Sequence, residues 1–315
     1  MTAALALVLI ASPAYDPLAV PKGDAPFRDE TWRDADRSRD VPVRIYLPSG
    51  SPAPIAIFSH GLGGSRQNNV FLAQHLAKRG YLTIFIQHPG SDESVWRGAP
   101  VGDRMNRMAA AASGENFRLR VQDVEFVLDE IEKRSKEAGS ILHGKADVSW
   151  IGMSGHSFGA VTTQAVSGQW FPTIGQAFTD ERIDVAVMYS PSAPPVGDAS
   201  RYFGSVKVPW LLMTGTLDGA PIGNTTIEDR FRVFPALPKG DKYELVLFEA
   251  EHSAFSERAL PGDAKGRNPN HHKAMLALTT AFYDAYLRRM PEAKAWLQGE
   301  GAKAILEPKD TWKLK

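Results

Sequence analysis

Gly155-His156-Ser157-Phe158-Gly159 is the stretch whose reading decides the fold. It has the form G-x-S-x-G. Before it runs Val148-Ser149-Trp150-Ile151-Gly152-Met153, with the β-branched and aromatic content of a strand. After it, Ala160-Val161-Thr162-Thr163-Gln164-Ala165-Val166 can begin a helix. A strand, a tight turn bounded by small residues and a helix together describe a nucleophile elbow. The glycines have a steric reason: a turn that forces a serine into a strained conformation leaves no room for side chains beside it. Glycine and serine are common, so the pentapeptide alone also arises by chance. Its flanks give it meaning.

Outward from the elbow, strands and helices alternate. Residues 41–47 read as a strand. Ile55-Ala56-Ile57-Phe58 is a continuous apolar run, as in a sheet buried on both faces. Residues 70–79 read as a helix that Gly80 ends, and residues 81–86 as the next strand. Phe117, Val121, Val124, Leu128 and Ile131 recur at three and four, one buried stripe on a long helix over residues 117–136. Strands follow at residues 185–189, 210–214 and 243–248, the last of these closing the sheet. A helix over residues 271–289 is expected to close the chain. The β-α-β-α order implies an α/β fold, a mostly parallel central sheet with helices on both faces. Residues 1–40 read as a lead-in, polar and irregular from residue 15, and residues 41–315 as one domain. Three connections, residues 89–116, 191–209 and 219–241, are longer than such a fold needs. All leave strand C-terminal ends, where open α/β sheets hold ligands. They are expected to wall the substrate pocket or cover it, Trp96 in the first among them.

Composition narrows the class. The 315 residues are 43% hydrophobic and 23% charged, ordinary for a globular chain. Lys+Arg and Asp+Glu stand at 36 each. That balance argues against nucleic acid or an anionic membrane as main partner. With no cysteine, disulfides, thiolate metal sites and a cysteine nucleophile are excluded. Residues 3–11 are apolar and are followed by Ser12-Pro13-Ala14, an export-like pattern without the usual basic start. Secretion or periplasmic export and an ordinary N-terminal segment both remain open. The run is too short to span a bilayer, and no later segment is apolar for long enough.

A serine hydroxyl needs a base, and the base needs a group that holds its tautomer and stabilises its charge. On this kind of sheet the order is serine, acid, histidine. Asp218, in Gly215-Thr216-Leu217-Asp218-Gly219 after a strand, is the candidate acid, with Asp198 as the alternative. His252, just after the strand at 243–248, is the candidate base. His271 and His272, the other histidines beyond Ser157, read as solvated or capping residues. An oxyanion needs backbone N–H groups already aimed at it. Phe158, after the nucleophile, supplies one, and Leu62 in Ser59-His60-Gly61-Leu62-Gly63-Gly64-Ser65 the other. His60 reads as structural. His88, at a strand end, is a candidate pocket residue beside Trp96. No motif calls for a metal, a nucleotide or any other cofactor.

Three stretches, Ser59-His60-Gly61-Leu62-Gly63-Gly64, Gln87-His88-Pro89-Gly90 and Gly155-His156-Ser157-Phe158-Gly159-Ala160, resemble the α/β-hydrolase superfamily over residues 41–290. Within it the chain looks like bacterial relatives of platelet-activating-factor acetylhydrolase and the predicted dienelactone-hydrolase group. The resemblance implies a serine esterase acting on a small-molecule or lipid-like ester. Two departures stand out. Dienelactone hydrolases use a cysteine nucleophile, which this chain lacks. In the acetylhydrolases the acid follows the strand after the elbow helix, where this chain has Tyr189-Ser190-Pro191.

Overall fold

The computed structural model describes residues 14–315 apart from Asn224 and Pro261. The export-like run at residues 3–11 lies outside them. Strands β1 (Phe27–Asp34), β2 (Arg39–Tyr46), β3 (Ala53–Ser59), β4 (Leu82–Ile86), β5 (Ala146–His156), β6 (Val185–Tyr189), β7 (Trp210–Leu217), β8 (Lys242–Glu251) and β9 (Thr311–Leu314) form one sheet. Its order is β1-β2-β4-β3-β5-β6-β7-β8-β9. The strands from β4 across to β8 run parallel, and β1, β2 and β9 add antiparallel edges. The expected mostly parallel sheet is what forms.

The helices cover both faces because successive strand residues point to opposite sides. On one face Ala56, Phe58, Val187 and Tyr189 pack with α1 (Val70–Arg79) and α8 (Pro269–Tyr286). On the other, Ile55, Ile57, Ile151 and Met153 pack with Val121, Val124, Leu128 and Ile131 of α3 (Gly114–Lys136). The stripe seen in the sequence is the buried face of that helix. Gly80 ends α1 at φ 101°. The elbow helix α4 is Phe158–Val166.

Two expectations need correction. Residues 15–40 are not an irregular lead-in, because Phe27–Asp34 is strand β1, paired along its length with β2. Its sequence is mostly polar because it is an edge strand with one solvated face, so no apolar alternation marks it. The stretch before it is also tied down: Tyr15 donates to buried Asp284 (2.8 Å) and His75 Nε2–H to Pro17 O (3.0 Å). Second, α8 does not close the chain. Helices α9 (Pro291–Gln298) and α10 (Glu300–Ala304) follow, and β9 pairs with β8. The long connections hold helices of their own. The first contains α2 (Val101–Ala111), the second α5 (Ala199–Phe203), and the third α6 (Ile227–Phe231) and α7 (Val233–Ala236).

The chain reverses direction across the sheet at β3, with β4 on one side and β5 on the other. Such a switch point opens a crevice at the strand C-terminal ends. Ser59 ends β3 there, and Ser157 follows β5.

Candidate active site

Ser157 sits at φ 56°, ψ −115°. A non-glycine residue there carries about 1–3 kcal/mol of strain. Tertiary contacts hold it: its N–H donates to Tyr189 O at 2.9 Å. The flanking glycines are required by close approach. A Cβ on Gly159 would lie 1.9 Å from Ser59 O, and one on Gly155 2.3 Å from Gly159 O. A side chain at either would push α4 off β3.

The structure brings Ser157, His252 and Asp218 together from three strand ends. Ser157 Oγ lies 2.8 Å from His252 Nε2, and His252 Nδ1 lies 2.6 Å from Asp218 Oδ1. With Nδ1–H donating to the carboxylate, Nε2 is left to accept the serine proton. Asp218 is fully buried, and Thr214 Oγ1 donates to its Oδ2 at 2.8 Å. Burial alone would raise the Asp218 pKa. The charge of Arg230 and the His252 hydrogen bond outweigh it and hold the group below the usual carboxylate range. Asp198, the alternative acid, instead caps α5, accepting from Ser200 N–H at 2.9 Å.

The loop after β3 lies against the elbow. A Cβ on Gly61 would be 3.4 Å from Ser157 Cβ. Neither Leu62 N–H nor Phe158 N–H has a hydrogen-bond partner among the described residues. Phe158 opens α4, so its N–H lies at the positive end of that helix. His60 orients the other donor. Its Nε2 accepts from His88 N–H (3.1 Å), which leaves Nδ1–H to donate to Gly61 O (2.6 Å). In a trans peptide the C=O and the following N–H point opposite ways. Pinning Gly61 O therefore turns Leu62 N–H the other way. Burial drives the His60 pKa well below its ordinary value, so the ring is neutral.

His88 does not reach a pocket, which corrects the expectation for it. It is wholly buried, with Nε2 2.9 Å from Ser59 Oγ and Nδ1 3.0 Å from Asp123 Oδ2. Burial pushes its pKa down to about 4. Trp96 lies against the loop after β3, its indole N–H donating to Gly63 O at 2.7 Å. Met108 of α2 also reaches this loop; a Cβ on Gly63 would sit 2.4 Å from its Cε. His271 is buried, so it is not a solvated residue, and His272 is half-buried and stacks on Phe71 (ring centroids 3.9 Å apart).

Sequence reading missed two residues around the triad. His156, between the glycine and the serine, donates from Nε2 to His252 O at 3.1 Å, and burial holds its pKa down to about 3. Arg230 of α6 is buried behind the pair. Its Nε lies 3.2 Å from Asp218 Oδ1, its Nη1 donates to Ser190 O at 2.7 Å, and its Nη2 is 3.1 Å from His252 Nδ1. Because Nδ1–H is committed to Asp218, that last contact is packing against a like-polarity neighbour.

Over 87% of its length the chain superposes on 94% of a ferulic acid esterase from Streptomyces cinnamoneus, with a TM-score of 0.58 and 21% identity. The chain has the α/β-hydrolase fold. The match is broad, since 825 solved chains share it, so it speaks to fold and not to substrate. Residues 39–141 match the family described as platelet-activating factor acetylhydrolase, isoform II, about a third of the chain. The resemblance read from the sequence is borne out over those residues. They carry β2 to β4, the loop with Leu62, Trp96 and α3, but not the triad. No curated protein matches the sequence. Among the described residues, no three His, Asp or Glu side chains are grouped to hold a metal ion, and no helix is long and apolar enough to cross a membrane.

Proposed function

We propose that this α/β-hydrolase cleaves carboxylic esters through a covalent acyl-enzyme on Ser157. The enzyme class follows from likeness to the acetylhydrolases, and the observation that carries the mechanism is the Ser157–His252–Asp218 chain at 2.8 Å and 2.6 Å. Ser157 Oγ attacks the ester carbonyl while His252 Nε2 takes its proton. The carbonyl oxygen becomes an oxyanion held by Leu62 and Phe158 N–H. The C–O bond to the alcohol breaks, and His252 returns the proton to the leaving oxygen. Water then gives a proton to His252 and attacks the acyl carbon, and collapse frees the acid and reprotonated Ser157. Asp218 holds His252 in the productive tautomer and stabilises the imidazolium. No cofactor enters any step.

Trp96 and Met108 are the proposed pocket walls beside the oxyanion loop. The substrate is proposed as a small-molecule or lipid-like ester, with a polyester or a phospholipid acetyl ester as alternatives. Labelling with a fluorophosphonate probe, followed by assay of esters of increasing acyl length, tests this directly. Labelling and turnover that both vanish in Ser157→Ala are expected. Turnover unchanged in that variant would overturn the mechanism.

A further inference from the structure

Arg120 lies in α3 on the buried face, with no solvent exposure. It falls in the helix's apolar stripe, three residues after Phe117 and four before Val124. Each of its three guanidinium nitrogens donates. Nε donates to Thr162 Oγ1 of α4 at 3.1 Å, and Nη1 to Ser91 Oγ at 2.9 Å. Nη2 donates to Ser59 Oγ at 3.0 Å and to His60 O. Its Cζ lies over the Phe158 ring, 4.7 Å from the centroid.

These partners belong to the two segments that carry the oxyanion donors. Ser59 and His60 lead into Leu62. Ser91 bonds the same loop from behind, since its carbonyl accepts from Gly63 N–H at 2.8 Å. Phe158 is the other donor residue, and Thr162, one turn along α4, donates its own hydroxyl to Phe158 O at 2.9 Å. One rigid, planar group therefore touches both sides of the hole from beneath. Stability alone does not account for it. Burying a guanidinium costs several kcal/mol, and apolar residues of similar volume often pack as well. Burial brings its pKa down to about 9, with Asp123 and Asp92 opposing, so it still carries its charge at neutral pH.

We propose that Arg120 is a positioning residue that sets the separation and aim of the Leu62 and Phe158 N–H groups. The proposal rests on the ester-hydrolase reading above. Lysine keeps the charge but not the planar fork, and so cannot hold both segments at once. A displacement of about 1 Å in such a constellation costs on the order of 10²-fold in rate.

The test compares wild type, Arg120→Lys and Arg120→Met on p-nitrophenyl butyrate. Active sites are counted by fluorophosphonate titration, so that misfolded molecules do not enter kcat. The second readout is affinity for an alkyl trifluoromethyl ketone, which Ser157 converts to an anionic hemiketal in the hole. Expected are a fall in kcat of about 10- to 100-fold and a KM within about threefold of wild type. Ketone affinity should fall in parallel with kcat/KM. If either variant fails to fold, Thr162→Val frees the α4 side alone, with an expected loss of about threefold in both measures. Ketone affinity at the wild-type value in every folded variant overturns the proposal, whatever happens to kcat. A wild type that neither labels nor turns over esters overturns the ester-hydrolase reading itself and this proposal with it. An active wild type with an indifferent Arg120→Lys overturns only the role given to Arg120.

Discussion

Two Ser–His–Asp chains lie in this molecule, at the ends of neighbouring strands. Ser157–His252–Asp218 joins at 2.8 and 2.6 Å, and Ser59–His88–Asp123 at 2.9 and 3.0 Å. By distance and connectivity they are nearly alike. They differ in what surrounds the serine. Ser157 is partly exposed at φ 56°, beside two free backbone N–H groups. Ser59 is fully buried at the last position of β3, in extended backbone, and Arg120 donates to its Oγ. That occupies a lone pair with which an attacking oxygen would bond. The arginines mark the contrast too. Arg230 stands behind the acid of the first chain, whereas Arg120 stands at the serine of the second. A triad is thus recognised by access, strain and an oxyanion site, and not by a hydrogen-bonded row of the right residue types.

The sharpest way to break this comparison is at the two serines. Ser157→Ala is expected to lower kcat by at least about 10⁴-fold. Ser59→Ala should still label with a fluorophosphonate and lose at most about tenfold, through the loop it supports. Labelling that survives in the first variant and disappears in the second would reverse the assignment. The acids come next. Asp218→Asn is expected to cost about 10²- to 10⁴-fold in kcat, read on folded protein. Asp123→Asn should leave the titrated enzyme active but lose about 3–5 kcal/mol in urea unfolding, because Arg37 and Arg39 both pair with that carboxylate. Should Asp198→Asn abolish turnover while Asp218→Asn spares it, the acid has been misassigned. Behind the acid, Arg230→Met should reduce kcat by about tenfold, with KM little changed, as Asp218 loses its fixed partner.

The last contrast is in pH-dependent stability, and it belongs to the buried chain. His88 has a folded pKa near 4 against an ordinary value of 6.5. The unfolded chain therefore binds the proton first, and stability present above about pH 6.5 drains away as pH falls towards 4. Burial would raise the Asp123 pKa, but hydrogen bonds from His88 and Arg39 bring it down to about 2. Its contribution, about 2 kcal/mol, is lost between pH 3.8 and 2. His88→Gln should flatten the unfolding free energy between pH 6.5 and 4, measured by urea titration at each pH. A slope identical to wild type would show that His88 is not the group responsible.

Much of this was legible in the chain. The apolar runs at residues 55–58 and 185–189 mark buried strands because hydrophobicity dominates folding energetics and repeats with the period of its element. Ser157, Asp218 and His252 could be picked out because each follows a strand, and order along the chain limits which ends meet. Other features left no such trace. Edge strand β1 is polar along most of its length, so its pairing with β2 depends on a partner. His88 looked like a pocket residue because a strand end resembles any other until burial is known. Arg120 did leave a signal, a charge inside an apolar stripe, but the stripe does not say what it touches. Arg230, in a helix of five residues, left none.

By itself the sequence determined the alternation of strands and helices, the elbow and the short list of groups able to do acyl transfer. These are local matters, set by side-chain periodicity and by glycines where no Cβ fits. Only the tertiary structure decided which of two serine–histidine–aspartate rows has an accessible serine, that His60 turns the Leu62 peptide, and that Arg120 and Arg230 stand at the two rows. Burial and hydrogen-bond direction are properties of everything packed around a residue, and that surrounding comes from segments far apart in the chain.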